Sequence, residues 1–350
     1  VGAVAEGVLA IRSRALGDLV LLTPALRALR RGHPGAPLEV VTEARYAPLL
    51  EAIEGVDRVW RLGRTTAGTL ALAAALRRRR YAWAVDFFGN PRSAFLTAVA
   101  GARRTAGFEV RGRARAYQVR TPRLVPMPPG RREYTADTHL RLARAAGGIP
   151  DGTGPRLALT APARAAGDAV LAAAGVSRPE STVGLVVFGS WPTKTWPLAH
   201  GARLARRLNR AGHALVLLAG PREEHIAEGL RRFVPDLAVL PPCDPAALAG
   251  AVARLRAVIG TESGPRHLAV ALDVPTFTWF GPTHPDSWTP PDPRHAYWQT
   301  PLPCRACDRT RCPHWNCLPG LDPDEAASRV LTHLATHERS ASDLRPAAGA

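Results

Sequence analysis

The sequence predicts an α/β protein built from two doubly wound halves that face a central cleft. Three observations predict it. Short apolar runs alternate with segments of helical period in both halves. Several of these runs end in glycine or another small residue that leads directly into a helix, the usual ligand edge of an open parallel sheet. A Gly- and Pro-rich stretch over 147–156 separates the two series. The chain has 350 residues, 46% of them apolar, which suffices for two cores and is too apolar for a disordered chain. The expected organisation is a first domain over 1–150, a linker and connecting helix over 151–180, a second domain over 181–338 and a disordered tail over 339–350.

In the first half, 8–12 reads as a strand, followed by a loop and a helix over 18–31 with Leu19, Leu22, Leu26 and Leu29 at helical spacing. Pro24 falls early in that helix and predicts a late start or a kink. His33-Pro34-Gly35 ends it. Strands over 38–42, 56–62 and 83–87 alternate with helices over 48–53, 69–80 and 93–100. Residues 107–133 read as loop, and 135–146 as helix. A helix over 162–174 precedes the second half. There strands over 183–188, 214–219, 237–240, 257–259 and 275–280 alternate with helices over 198–210, 223–233, 245–255 and 265–272. Asp322-Pro323 begins a final helix to residue 337, as N-cap and first turn.

Net charge is +17, which suits nucleic acid, an anionic membrane surface or anionic substrates. The arginines are spread along the whole chain, without the interleaved aromatic residues of a single-strand-binding groove, so nucleic acid is not expected. No apolar run is long enough to span a bilayer and no signal-peptide pattern opens the chain. The expectation is a cytoplasmic protein, with peripheral contact at the inner face of the cell membrane allowed by its charge.

Of 46 cationic side chains, 45 are arginine and one, Lys194, is lysine. It follows the apolar run 183–188 and the pair Gly189-Ser190. A site that accepts only a compact ammonium, and not a planar fork, would keep lysine against that bias. A point charge just past a strand end suits phosphate. Ser263-Gly264-Pro265 opens a helix directly after a strand, where free N–H groups and the helix dipole favour an anion. His267, one turn further on, adds a donor. Gly17-Asp18 is the matching junction of the first half. Asp18 reads either as a helix cap or as a general base for an acceptor hydroxyl. Glu223 after Gly220-Pro221 reads either as a helix-start carboxylate or as a partner for a ribose diol.

These residues together resemble a family. The run 10–12, Gly17-Asp18, 23–26 and His33-Pro34, with Asp86, Asn90, Arg92 and Ser93, is similar to the first half of the ADP-heptose:lipopolysaccharide heptosyltransferases, glycosyltransferase family 9. Lys194-Thr195-Trp196-Pro197, the stretch 262–269 and the stretch 280–285, which contains Thr283, follow in the same order. The resemblance implies a GT-B fold of two Rossmann-like domains, with the acceptor in the first and the nucleotide-sugar in the second. It implies an inverting transfer with no metal or other cofactor, from a nucleotide-diphosphate sugar, ADP-linked, to a glycan or glycoside hydroxyl. Asp18 then matches the base and Lys194 the cation beside the departing diphosphate. Ser190, Ser263, Gly264, Pro265 and His267 match phosphate contacts, and Glu223 a nucleoside contact. Gly17, Asn90, Arg92 and Thr283 match acceptor-side or cleft positions. Glu262 departs from the family's usual aspartate at a donor-sugar contact, and one extra methylene moves the carboxylate by about 1.5 Å.

Four cysteines, Cys304, Cys307, Cys312 and Cys317, share one segment, also similar to heptosyltransferase II-like members. Their spacing suits zinc, disulfides or reduced thiols, and no catalytic metal is expected. Two rival readings are a nucleotide-sugar epimerase of the same fold and a non-enzymatic binder of nucleic acid or another anion.

Overall fold

The computed structural model describes residues 6–220 and 223–337. The chain divides after Thr160 into two compact units. The first runs β1 (Gly7–Ile11), α1 (Leu16–Gly32), β2 (Leu38–Glu43), α2 (Ala47–Glu51), β3 (Arg58–Leu62), α3 (Thr66–Arg77), β4 (Tyr81–Asp86), α4 (Pro91–Val99), β5 (Arg104–Phe108), β6 (Val119–Thr121) and α5 (Thr135–Ala145). Its six strands are parallel, in the order β3-β2-β1-β4-β5-β6. The chain winds outward one way from β1 and the other way from β4, so the switch point lies between those two strands, where Ile11 pairs with Asp86. Open α/β sheets bind ligands beyond the carboxyl ends of strands at such a point.

The second unit runs α6 (Ala161–Ala173), β7 (Thr182–Val186), α7 (Leu198–Arg210), β8 (Ala214–Leu217), α8 (Glu224–Arg231), β9 (Ala238–Val239), α9 (Pro245–Arg254), β10 (Ala257–Thr261), α10 (Gly264–Ala271), β11 (Thr276–Phe280), α11 (Pro285–Trp288), β12 (His295–Gln299) and α12 (Pro323–Thr336). Its parallel order is β12-β11-β10-β7-β8-β9, with the switch point between β7 and β10. The helix α6, read from sequence as part of the connection, packs on α9 and belongs to this unit. The tail over 339–350 lies outside the described residues.

The central strands of both sheets are buried, as expected of parallel sheets covered by helices on two faces. All five residues of β1, β7, β10 and β11 are buried. Two carboxylates, Glu39 and Asp86, are buried in the first unit. Glu39 on β2 is 1% exposed and accepts from Tyr81 Oη at 2.5 Å, Trp60 Nε1 at 2.6 Å and Arg79 at 2.6 Å. Three donors offset the cost of taking that charge from water.

Local differences from the sequence reading have identifiable causes. Pro24 neither delays nor ends α1, which starts at Leu16 and runs through it. Proline leaves the carbonyl four residues back without its usual donor, and Thr23 Oγ1 donates to that carbonyl, Val20 O, at 2.8 Å. The stretch 107–133 is not all loop: it contains the end of β5 and all of β6, which pair on β4 and on each other. β12 was also missed. It lies at the sheet edge between proline-bearing loops and pairs only with β11.

Gly260 in β10 has φ +142, and a Cβ there would fall 1.9 Å from Val186 O on β7. Only glycine lets the two strands meet beside the switch point. Gly260→Ala is expected to lower unfolding free energy by about 3 kcal/mol or more, read from the urea midpoint; a change within error would show that the strands part without strain.

Candidate functional site

The second unit's switch point collects most of the candidate residues. Beyond β7 the chain passes Gly189 and Ser190, which is exposed, and makes one short 3-10 turn, Pro192–Lys194. A Cβ on Gly189 would lie 2.6 Å from Lys194 Cβ, so the glycine lets the loop fold tightly enough to bring Lys194 back over the sheet end. Lys194 is 7% exposed. Its ammonium pairs with Glu262 and lies 4.3 Å from the centre of the Trp191 ring and 5.6 Å from that of Trp288. Aromatic faces attract a cation while excluding water.

Glu262, 5% exposed, follows β10. Its Oε2 meets Lys194 and accepts from Thr283 Oγ1 at 3.3 Å; its Oε1 lies 3.2 Å from His267 Nε2. Burial pushes its pKa up, but the Lys194 charge and the His267 contact outweigh burial, so the carboxyl titrates below the usual Glu range. Ser263 is the N-cap residue of α10 in extended conformation. Its side chain does not cap the helix, and its Oγ is buried with no hydrogen-bond partner. With Pro265 supplying no N–H, the helix start offers its first amides and a hydroxyl to an anion. Arg266 turns inward from the same helix, donating to Thr278, Trp288 O and Thr289, which fixes α10 against β11 and the end of α11.

An ammonium has three donors. Lys194 can therefore keep Glu262 and still donate to phosphate oxygens at the α10 start. The sequence-predicted residues Lys194, Glu262, His267 and Thr283 are in direct contact, and Ser263, Gly264 and Pro265 adjoin them. Glu223 is the N-cap residue of α8, and its carboxylate accepts from Gly220 N at 2.5 Å. In this state it closes its own loop.

The cysteine segment backs the Lys194 loop. Thr193 Oγ1 donates to Arg309 O at 2.8 Å, Trp315 Nε1 to Thr193 O at 3.3 Å, and Trp196 Nε1 to Leu318 O at 3.0 Å. All the cysteines are free thiols. Among the described residues no group of three or more His, Cys, Asp or Glu side chains is placed to hold a metal ion.

The first unit's switch point holds Asp18, two residues into α1. Gly17, also on the helix start, is buried. Arg12, at the end of β1, pairs with Asp18 Oδ1 at 2.6 Å, donates to Phe87 O at 2.6 Å and lies over the Phe88 ring. Ala15 N donates to Asp18 Oδ2 at 3.2 Å. Burial raises the Asp18 pKa, and Arg12 with that amide more than reverses it. His139, buried and 3.3 Å from Leu21 O, is pushed by burial down to about 3, and Arg12 is the cation paired with Asp18. Asn90 accepts from Ser93 N at 2.7 Å as the cap of α4. Arg92 donates to Thr69 Oγ1, Gly63 O and Thr65 O, tying α4 to the start of α3.

Arg12, Trp191 and Trp288 were not singled out from sequence. Arg12 had a signal, a lone cation at the end of the first strand. The two tryptophans had none, since only folding brings them to the ammonium.

A family model described as glycosyltransferase family 9 (heptosyltransferase) matches residues 69–317. Lipopolysaccharide heptosyltransferase 1 of Pseudomonas aeruginosa is 27% identical over 343 aligned positions, covering 87% of each chain. Among solved structures, E. coli ADP-heptose lipopolysaccharide heptosyltransferase II superposes with TM-score 0.76 at 19% identity, over 94% of this chain and 99% of that one. E. coli heptosyltransferase WaaC with ADP gives TM-score 0.71 at 21% identity, over 93% and 99%.

Proposed function

Because the chain belongs to glycosyltransferase family 9, the heptosyltransferase family, and is a glycosyltransferase of GT-B fold, we propose that it moves a heptose from ADP-heptose to a hydroxyl of a lipopolysaccharide-type glycan, with inversion. Family membership sets aside the epimerase and the non-enzymatic binder. One observation carries the proposal: the only lysine of the chain is buried at the second unit's switch point, beside the uncapped start of α10.

Sugar transfer needs a base on the incoming hydroxyl and neutralisation of the diphosphate that leaves. The acceptor oxygen bonds to the anomeric carbon as the bond to the diphosphate breaks. Asp18 takes the hydroxyl proton. Lys194 and the amides of Ser263 and Gly264 receive the developing phosphate charge, a role that needs no metal, so activity is expected to survive EDTA. Glu262, held by Lys194, His267 and Thr283, orients the ammonium and faces the donor sugar. Ser190 adds a phosphate contact and Glu223 a nucleoside contact once its loop opens. A cytoplasmic site of action, at the inner face of the membrane, completes the proposal.

The test is a thermal-shift series with ADP, UDP and GDP, followed by product analysis with ADP-heptose and a lipid A–Kdo acceptor. ADP alone should raise Tm, and a heptosylated product should appear. Stabilisation by UDP or GDP but not ADP would sink the adenine assignment, and no response to any of the three would sink the site.

A further inference from the structure

The first unit carries an apolar helix face to which the proposed sugar transfer assigns no residue. The inner face of α3 is Thr69, Leu72, Ala73 and Leu76, all buried. Its outer face is Thr66, Ala67, Leu70, Ala71 and Ala74, all exposed, and the helix has no charged residue before its last, Arg77. Leu70 is 55% exposed, and Phe95 on neighbouring α4 is 39% exposed. A solvated helix normally puts charge on its outer face. Between α3 and α4 lies an open groove of about 480 Å³, with Arg64 and Arg92 at its rim and Leu70 and Phe95 in its wall.

Nearly all the charge in the segment that carries this apolar strip is positive. Residues 58–108 contain ten arginines and a single acidic residue, Asp86, which is fully buried. Arg58 and Arg79 are taken by Glu39, and Arg61 by Glu51. Arg64 at one end of α3 and Arg77, Arg78 and Arg80 at the other are exposed and have no ion-pair partner among the described residues. An apolar helix face of this kind, flanked by free cations, matches the boundary between acyl chains and anionic headgroups.

We propose that this face docks the chain on an anionic phospholipid bilayer. Leu70 and Phe95 enter among the headgroups, and Arg64, Arg77, Arg78 and Arg80 meet lipid phosphates. The apolar part favours a bilayer over nucleic acid, which would leave Leu70 and Phe95 in water. The proposal stands apart from the sugar-transfer reading: a chain that transfers sugar without binding vesicles loses the one and keeps the other.

The experiment is co-sedimentation of the full chain with vesicles of phosphatidylcholine alone and of phosphatidylcholine with phosphatidylglycerol. Binding is expected only to the second kind, and should weaken as salt is raised. Replacing the four arginines by glutamate should lower vesicle affinity at least ~10²-fold. A separate variant, Leu70→Ser with Phe95→Ser, keeps every cation and should also bind at least ~10-fold more weakly. A far-UV circular dichroism spectrum and a urea midpoint like the parent's report that each variant is folded. Equal binding to both vesicle types, or binding unchanged in either variant, overturns the proposal. So does duplex DNA binding that the arginine variant loses and the serine variant keeps, or a drop in solution mass in the serine variant, which would assign the face to a second copy.

Discussion

Lys194→Ala should lower kcat by about 10²–10³-fold, the range found when one preorganised donor to a developing charge is removed. The loss is expected in kcat more than in KM, because the ammonium matters most when the diphosphate carries its full charge. The same change has a structural cost. Glu262 keeps only His267 and Thr283 and becomes a buried carboxylate without its cation, a loss of about 3–5 kcal/mol. The two effects separate in the double variant Lys194→Met with Glu262→Gln. No charge is then stranded, so stability should recover most of that loss while turnover stays low. Recovery of turnover along with stability would mean that Lys194 serves the fold and not the chemistry. Lys194→Arg is informative in another way. The site is closed by Gly189 on one side and by two indole rings on another, and a planar fork does not fit where a point charge does. Arginine activity near that of the parent would show that the chain's one lysine is not a requirement of the site.

The fold was largely legible in the sequence because each buried strand is a continuous apolar run ending in a small residue, a pattern that parallel sheets impose. The exceptions were decided by tertiary contacts. β6 has three residues and β12 a half-exposed face, and neither would hold without its neighbour. Pro24 read as a breaker because a side chain's service to a carbonyl, here from Thr23, is not visible in one-dimensional spacing. Among the residues that meet at the second switch point, the one that stood out in the sequence is of a rare type, Lys194 in an arginine-rich chain. The site was not legible where a common residue acts by position. Asn90 and Arg92 make hydrogen bonds that hold α4 in place, and nothing in their spacing separates that task from ligand binding. The longer side chain of Glu262 likewise acquires its meaning only in the structure, where it reaches the ammonium.

Asp18→Asn should lower turnover by about 10²–10⁴-fold, the contribution of a positioned base, while the Tm rise with ADP, a property of the second unit, persists. The titration of Asp18 gives this prediction a second arm. Its folded pKa lies below the ordinary value of 3.8 because Arg12 and the Ala15 amide outweigh burial. A depressed carboxyl contributes stability that is present above the unfolded pKa and is lost as pH falls through the folded one. The proposed base is therefore already ionised at every pH above about 4, and the acid limb of the kcat profile should lie below that point. Arg12→Gln removes the cation but leaves the burial. The carboxyl should then rise, and the acid limb should move up into the range where the enzyme is stable enough to assay. Depression also makes Asp18 a weak base at rest. An acceptor that drew Arg12 partly away would strengthen that base as it binds, so Arg12→Gln should lose less kcat near pH 7 than Asp18→Asn does. An acid limb that stays put in Arg12→Gln would separate Arg12 from the base, and near-parental turnover in Asp18→Asn would remove Asp18 from the chemistry altogether.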